Sequence, residues 1–141
     1  IRYAEVLLSY LEAKLEAGQP IDQSLLDETI NKVRGRTSVN MPPINETTPA
    51  LLRGILRKER RNETAFEGIR YWDLLRWKIA ETVLKADFYG APFPGTVKPI
   101  RRKGTTVDPF ARWFVTSKAF RAQDYQWPIP QSEVDINPKL R

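Results

Sequence analysis

Residues 59–77, ERRNETAFEGIRYWDLLRW, concentrate charge and aromatic bulk as no other part of the chain does. Arg60, Glu63, Glu67, Arg70, Asp73 and Arg76 follow one another at steps of three or four. On a helix such steps lie along one side, where opposite charges pair. Phe66, Ile69, Tyr71, Trp72, Leu74, Leu75 and Trp77 take the remaining sides. A helix with apolar residues on most sides is enclosed by other elements, and its charges are enclosed with it. Removing one partner of a buried pair costs roughly 3–5 kcal/mol, so such a ladder has to be nearly complete. The run is expected to be a structural hub, with Arg60, Glu63, Phe66, Glu67, Arg70, Tyr71, Asp73, Arg76 and Trp77 as its members.

The rest of the composition narrows the possibilities. A chain of 141 residues is one domain or a piece of one. Its 41% hydrophobic and 28% charged residues are those of an ordinary globular protein. No apolar run reaches the length of a membrane span, and no signal peptide opens the chain. With no cysteine there are no disulfides, thiol nucleophiles or thiolate metal sites, and with no histidine the commonest general base and metal ligand are gone. No cofactor and no metal are expected. The first residue is Ile1, already inside a helical pattern, so a piece of a longer protein is expected.

In order, a helix is expected over 1–18, with Tyr3, Val6, Leu7, Tyr10, Ala13 and Ala17 as its inward stripe and Gly18 as its stop. Asp22 caps a second helix to about residue 34, with Leu26, Ile30 and Val33 inward. Residues 1–36 thus form a helical hairpin resembling one tetratricopeptide unit. After a loop at 35–47, Thr48 caps a third helix with Pro49 at its first position. Leu51, Leu52, Ile55, Leu56, Glu59, Glu63 and Phe66 face inward, Gly68 ends or bends it, and a fourth helix covers 69–85. Residues 48–86 are then the central helices. Residues 87–141 form a loop-rich tail: a surface loop or hairpin to 108, a helix or strand pair at 111–122, and a short helix after Pro130.

Three blocks carry a family resemblance: RYAEVLLSYLEAK from Arg2, KERRNETAFEGIRYWDLLRW from Lys58 and YQWPIPQSEVDINPKL from Tyr125. In this order they resemble the C-terminal part of the SusD/RagB family, outer-membrane lipoproteins of Bacteroidetes. The resemblance implies a mainly α fold of tetratricopeptide-like helix pairs. It implies a position on the extracellular face of the outer membrane, through a lipid anchor outside this stretch. It also implies an oligosaccharide or peptide nutrient as ligand, and a SusC-like TonB-dependent transporter as partner. What it transfers residue by residue is structural: Glu63, Phe66, Gly68, Arg70, Tyr71, Asp73, Leu74, Arg76 and Trp77, then Pro128, Pro130, Glu133, Asn137 and Pro138.

Other readings of the same residues stay open. Glu59, Glu63 and Glu67 at helical spacing have the makings of a carboxylate pair for glycoside hydrolysis, but the arginines around them favour an ion network. The net charge of +6 and the cluster at 53–61 fit a solvated helix face better than a nucleic-acid surface. Sugars lay their C–H faces on flat rings, so exposed aromatics outside the family blocks are candidate contacts. These are Tyr89, Phe93 and Trp113; Trp72 and Trp77 are expected in the core. The reading is a surface binding protein without catalysis. Its rivals are a tetratricopeptide-like scaffold for a protein partner with no sugar ligand, and an enzyme whose catalytic groups lie elsewhere.

Overall fold

A computed structural model of the protein describes residues 2–91, 103–105, 108–110, 112–127, 129–137 and 139. The fold is mainly α. Helices α1 (Tyr3–Glu16), α2 (Gln23–Glu28), α3 (Ile30–Arg34), α4 (Pro49–Glu63), α5 (Ile69–Arg76) and α6 (Ala80–Val83) are followed by strands β1 (Ala86–Gly90) and β2 (Trp113–Lys118). A 3-10 turn (Ala122–Tyr125) and α7 (Gln131–Ile136) complete the order. The chain divides into two compact units, residues 1–71 and 72–141.

In the first unit, local signals act as the sequence indicates. Gly18 takes a left-handed φ of +66°. Its N–H reaches the Leu15 carbonyl at 3.2 Å while the Gln19 N–H reaches Lys14 at 3.1 Å, the paired bonds that close a helix end. The Asp22 carboxylate accepts from the Leu25 N–H at 2.8 Å and so starts α2. The expected second helix is broken at Thr29, whose backbone leaves the helical region (φ −119°, ψ −96°). Its hydroxyl donates to the Leu25 carbonyl, a side-chain bond that competes with helix continuation. Leu26, Ile30 and Val33 are buried nonetheless.

The inward stripe of α1 is a correction. Ala4, Leu8, Leu11 and Leu15 are buried, whereas Tyr3, Val6 and Tyr10 are exposed. Both sets have helical spacing. The leucine stripe wins because burying each leucine is worth about 1.5–3 kcal/mol, while tyrosine keeps its hydroxyl wet on the surface. The two rings carry cations instead, Lys32 Nζ at 5.6 Å from the Tyr3 centroid and Lys14 Nζ at 5.5 Å from Tyr10. The leucine stripe packs with Leu26, Ile30, Val33, Leu52 and Leu56 into one core, flanked by Leu7, Ile21, Leu25, Ile44 and Ile55.

The loop before α4 is pinned by side chains. Asn31 brackets Ile44, donating to its carbonyl at 2.9 Å and accepting its N–H at 2.6 Å, and Arg34 Nε donates to the Pro42 carbonyl at 2.9 Å. Pro49 occupies the first turn of α4 as expected, but the Thr48 side chain makes no cap bond. Leu52, Leu56, Glu59 and Arg60 form the buried face, and Leu51 lies in solvent. The helix ends at Glu63, earlier than its pattern indicates, because Thr64 returns its hydroxyl to the Arg60 carbonyl at 2.8 Å. Phe66 and Gly68 then take left-handed φ of +64° and +76°.

In the second unit, the expected helix over 69–85 is also divided. Lys78, at φ +54°, donates its N–H to Leu75 at 3.1 Å, and Ile79 donates to Leu74 at 3.1 Å, the same closing pattern that ends α1. The segment at 111–122 settles as one strand: β2 runs antiparallel to β1, with Ala86 opposite Lys118, Asp87 opposite Ser117, Phe88 opposite Thr116, Tyr89 opposite Phe114 and Gly90 opposite Trp113. The register shifts between Phe88 and Tyr89. Tyr125 accepts the free Ala80 N–H of α6 at 3.1 Å, and Lys78 Nζ lies 4.7 Å from the Tyr125 ring centroid. Pro130 caps α7 and Glu133 sits in its first turn. Pro128 and Pro138 lie outside the described residues.

Candidate functional site

Several charged side chains of residues 59–77 find partners outside the run. Within the run Asp73 and Arg76 pair, Nε to Oδ1 at 2.9 Å. The α4 carboxylates are gripped from outside. Glu63, whose side chain is 10% exposed, accepts from Arg2 and Arg36, each at 2.7 Å. Glu67 takes the other end of Arg2 at 2.7 Å. Glu59 pairs with Arg34 at 2.5 Å, both side chains about one-tenth exposed. Arg60 is buried and donates to Ser9 Oγ at 2.8 Å.

Arg2 also donates to the Glu63 carbonyl, one of the acceptors that the end of α4 leaves without a helical partner. A cation at a helix C-terminus is favoured by the dipole as well. Arginines from the start of α1, the end of α3 and the loop beyond it therefore clamp α4 from three sides.

The aromatic members of the expected hub are not enclosed. Phe66 is 108% exposed, and Trp72 and Tyr71 are exposed as well, against the expectation that the ladder is surrounded by rings. Trp77 is half-buried, with the Arg76 guanidinium 4.9 Å from its ring. The run is divided between α4 and α5 through the left-handed Phe66 and Gly68, so its rings do not lie along one continuous helix. Arg70 is half-buried.

The candidate ligand contacts lie on the hairpin. Tyr89 meets Phe114 edge to face, centroids 5.8 Å apart at 70°, and carries the Arg112 guanidinium at 4.6 Å. Asp108 holds that guanidinium through both oxygens, at 2.7 and 3.1 Å, and the bond lowers its carboxyl to about 2. Trp113 lies opposite Gly90, so it belongs to the other face of the ribbon, because neighbouring strand residues point opposite ways. Tyr89 and Trp113 thus do not converge. Phe93 lies outside the described residues.

What shares the Trp113 side is Phe88, exposed, with Lys118 Nζ 5.2 Å from its ring. At the end of the hairpin where Ala86 meets Lys118, a depression of about 440 Å³ is lined by Lys85, Ala86, Asp87, Lys103, Ser117, Lys118 and Ala119. Lys103 donates to both Asp87 oxygens at 2.9 and 3.0 Å, and Ser117 Oγ donates to the same carboxylate at 2.6 Å. These bonds, the Ser117 one foremost, lower the Asp87 carboxyl, and Asp87 in turn raises the Lys103 ammonium. In sequence, Lys103 stands in the stretch expected as a surface loop or hairpin. Nothing in the sequence brings Lys85 and Lys118 to the same place, since that needs the strand register. Among the described residues no three metal-binding side chains converge, and no helix is long and apolar enough to cross a membrane.

The SusD family model matches residues 1–141. The chain belongs to the SusD family. A SusD-like carbohydrate-binding protein of Bacteroides fragilis, solved by crystallography, is 57% identical over 100% of this SusD-family chain, with a TM-score of 0.83. A second SusD-like protein of Bacteroides fragilis is 30% identical over 98% of the chain, with a TM-score of 0.72. A SusD-like protein of Formosa agariphila is 36% identical over 87 residues, 59% of this chain. The chain spans 28%, 24% and 17% of those three proteins respectively.

Proposed function

We propose that this chain is part of a cell-surface carbohydrate-binding subunit that works with a TonB-dependent, SusC-like transporter and holds its ligand without transforming it. The observation that carries this reading is the 57% identity, across the whole chain, to a solved SusD-like carbohydrate-binding protein. The subunit sits on the extracellular face of the outer membrane through a lipid anchor outside this stretch. Its nutrient is an oligosaccharide, with a peptide as the second class. In this role residues 1–141 form a clamped helical scaffold, and the principal ligand contacts lie elsewhere in the protein.

The test uses the full-length protein. Calorimetry against a panel of oligosaccharides is expected to give saturable binding to at least one, with the sugar recovered intact by chromatography. Co-purification from membranes is expected to bring down a TonB-dependent transporter. Binding to no glycan, together with capture of a different protein partner, would turn the reading to a tetratricopeptide-like scaffold. Cleavage of a bound sugar would turn it to an enzyme.

A further inference from the structure

Helix α1 carries two apolar stripes on nearly opposite sides, and the core of the first unit covers one of them. Ala4, Leu8, Leu11 and Leu15 are buried there. Tyr3, Val6, Tyr10, Ala13 and Ala17, at steps of three and four, form the other stripe. All five are exposed, Tyr3 by 64% and Val6 and Tyr10 by 49% each. No charged residue interrupts this second stripe from Tyr3 to the C-cap Ala17. A helix at the surface needs one apolar stripe, whereas a helix that is apolar on two opposite sides is built to be enclosed from both. The stripe is also graded in size. Rings and a valine fill its first half, and Ala13 and Ala17 follow, small enough to let a second backbone come close. Lys32 Nζ, 5.6 Å from the Tyr3 ring, and Lys14 Nζ, 5.5 Å from the Tyr10 ring, set positive charge along it.

We infer that this stripe is an internal docking surface, covered in the intact protein by a helix of the same polypeptide from outside residues 1–141. The solved Bacteroides fragilis relative is 57% identical along the whole of this chain, yet the chain spans only 28% of it. A protein of that size has ample further chain to supply the cover. The covering helix is expected to bring an apolar face, with acidic residues placed to meet Lys14 and Lys32. A second copy of this chain fits less well. Laid antiparallel on the stripe, it sets Lys14 and Lys32 against the same lysines, and like charges brought together cost binding energy. The tyrosine hydroxyls stay wet at the rim of the contact. The cover is a matter of assembly and holds whichever ligand the protein takes up.

The experiment is thiol labelling of the full-length protein. Residues 1–141 hold no cysteine, so an introduced one is read by peptide mass spectrometry without a rival in this stretch. Val6→Cys and Ala13→Cys, made one at a time, are expected to react with a maleimide at least about fiftyfold more slowly in native buffer than in urea. That protection is expected to persist when the protein is diluted until light scattering shows a monomer. A smaller difference between native buffer and urea means the stripe faces solvent or waits for an outside partner, and it overturns the inference. Protection lost on dilution assigns the stripe to a second copy and overturns it as well. Ala13→Arg reads the same surface through stability. Arginine is a good helix former and costs little on a solvated face, but under a covering helix it is expected to lower the melting temperature by about 3 °C or more. A smaller fall overturns the inference. None of these measurements involves a glycan, so the carbohydrate reading stands or falls separately.

Discussion

Glu63 is the most exacting place to test the clamp. Its carboxylate, 10% exposed, is shared by Arg36, which is 39% exposed, and by Arg2. A hydrogen bond to a charged group contributes about 1.5–3 kcal/mol when sheltered, and an exposed ion pair about 0.2–1 kcal/mol. The Glu63–Arg36 bond has one sheltered partner and one half in water, which places it at about 1 kcal/mol. Arg36→Ala alone is expected to cost about 1–2 kcal/mol, because it leaves the buried carboxylate one donor short. Glu63→Gln keeps the length of the side chain and one acceptor oxygen. The cycle of Glu63→Gln, Arg36→Ala and the double variant therefore isolates the ionic part, with an expected coupling of about 1 kcal/mol. The assay is urea unfolding followed by circular dichroism, read from midpoints at a common slope. A coupling below about 0.3 kcal/mol would refute the reasoning, since the pair would then be no better than a fully solvated contact.

The other predictions concern separate parts of the molecule. Asp73 is 1% exposed, and Asp73→Ala is expected to destabilise by about 3 kcal/mol or more in the same assay; a change under about 1 kcal/mol would mean the carboxylate is not structural. Leu11→Ala removes a fully buried side chain from the core and is expected to cost about 2–5 kcal/mol. Arg112 holds Asp108 down to about 2, below the usual carboxylate value of about 3.9. Because the folded value is the lower one, the stabilisation is present above pH of about 4 and is lost as pH falls through about 2. A carboxyl titration of Asp108 by NMR checks this, and a midpoint near 4 would contradict the Arg112 contact.

Local chemistry was readable from the sequence and distant pairing was not. Gly18 and Asp22 act as written because a left-handed stop and a capping carboxylate need only their neighbours. The breaks at Phe66 and Lys78 escape the same reading: neither is glycine, so nothing in the residue type marks a left-handed turn. Tyr3–Tyr10 and Leu8–Leu15 offer α1 two stripes of equal spacing, and only the neighbours α3 and α4 decide which is covered. The hub shows the division clearly. Glu59, Glu63 and Asp73 are sheltered while Glu67 is exposed, and Arg2, Arg34 and Arg36 come from far along the chain, where helical spacing has no say. Of the candidate contacts, Tyr89 and Trp113 do sit on one hairpin. Their opposite faces follow from a register that no single strand reveals.

The span of the Arg2–Glu63 bond, 61 positions along the chain, has a kinetic consequence. Such a bond forms only after α1 and α4 have met, because the intervening chain must first give up its freedom. It works as a latch fastened on an assembled body rather than as a seed for assembly. Weakening it is expected to quicken unfolding and leave the refolding rate almost untouched, so this region resists opening through the lifetime of its ionic fastenings.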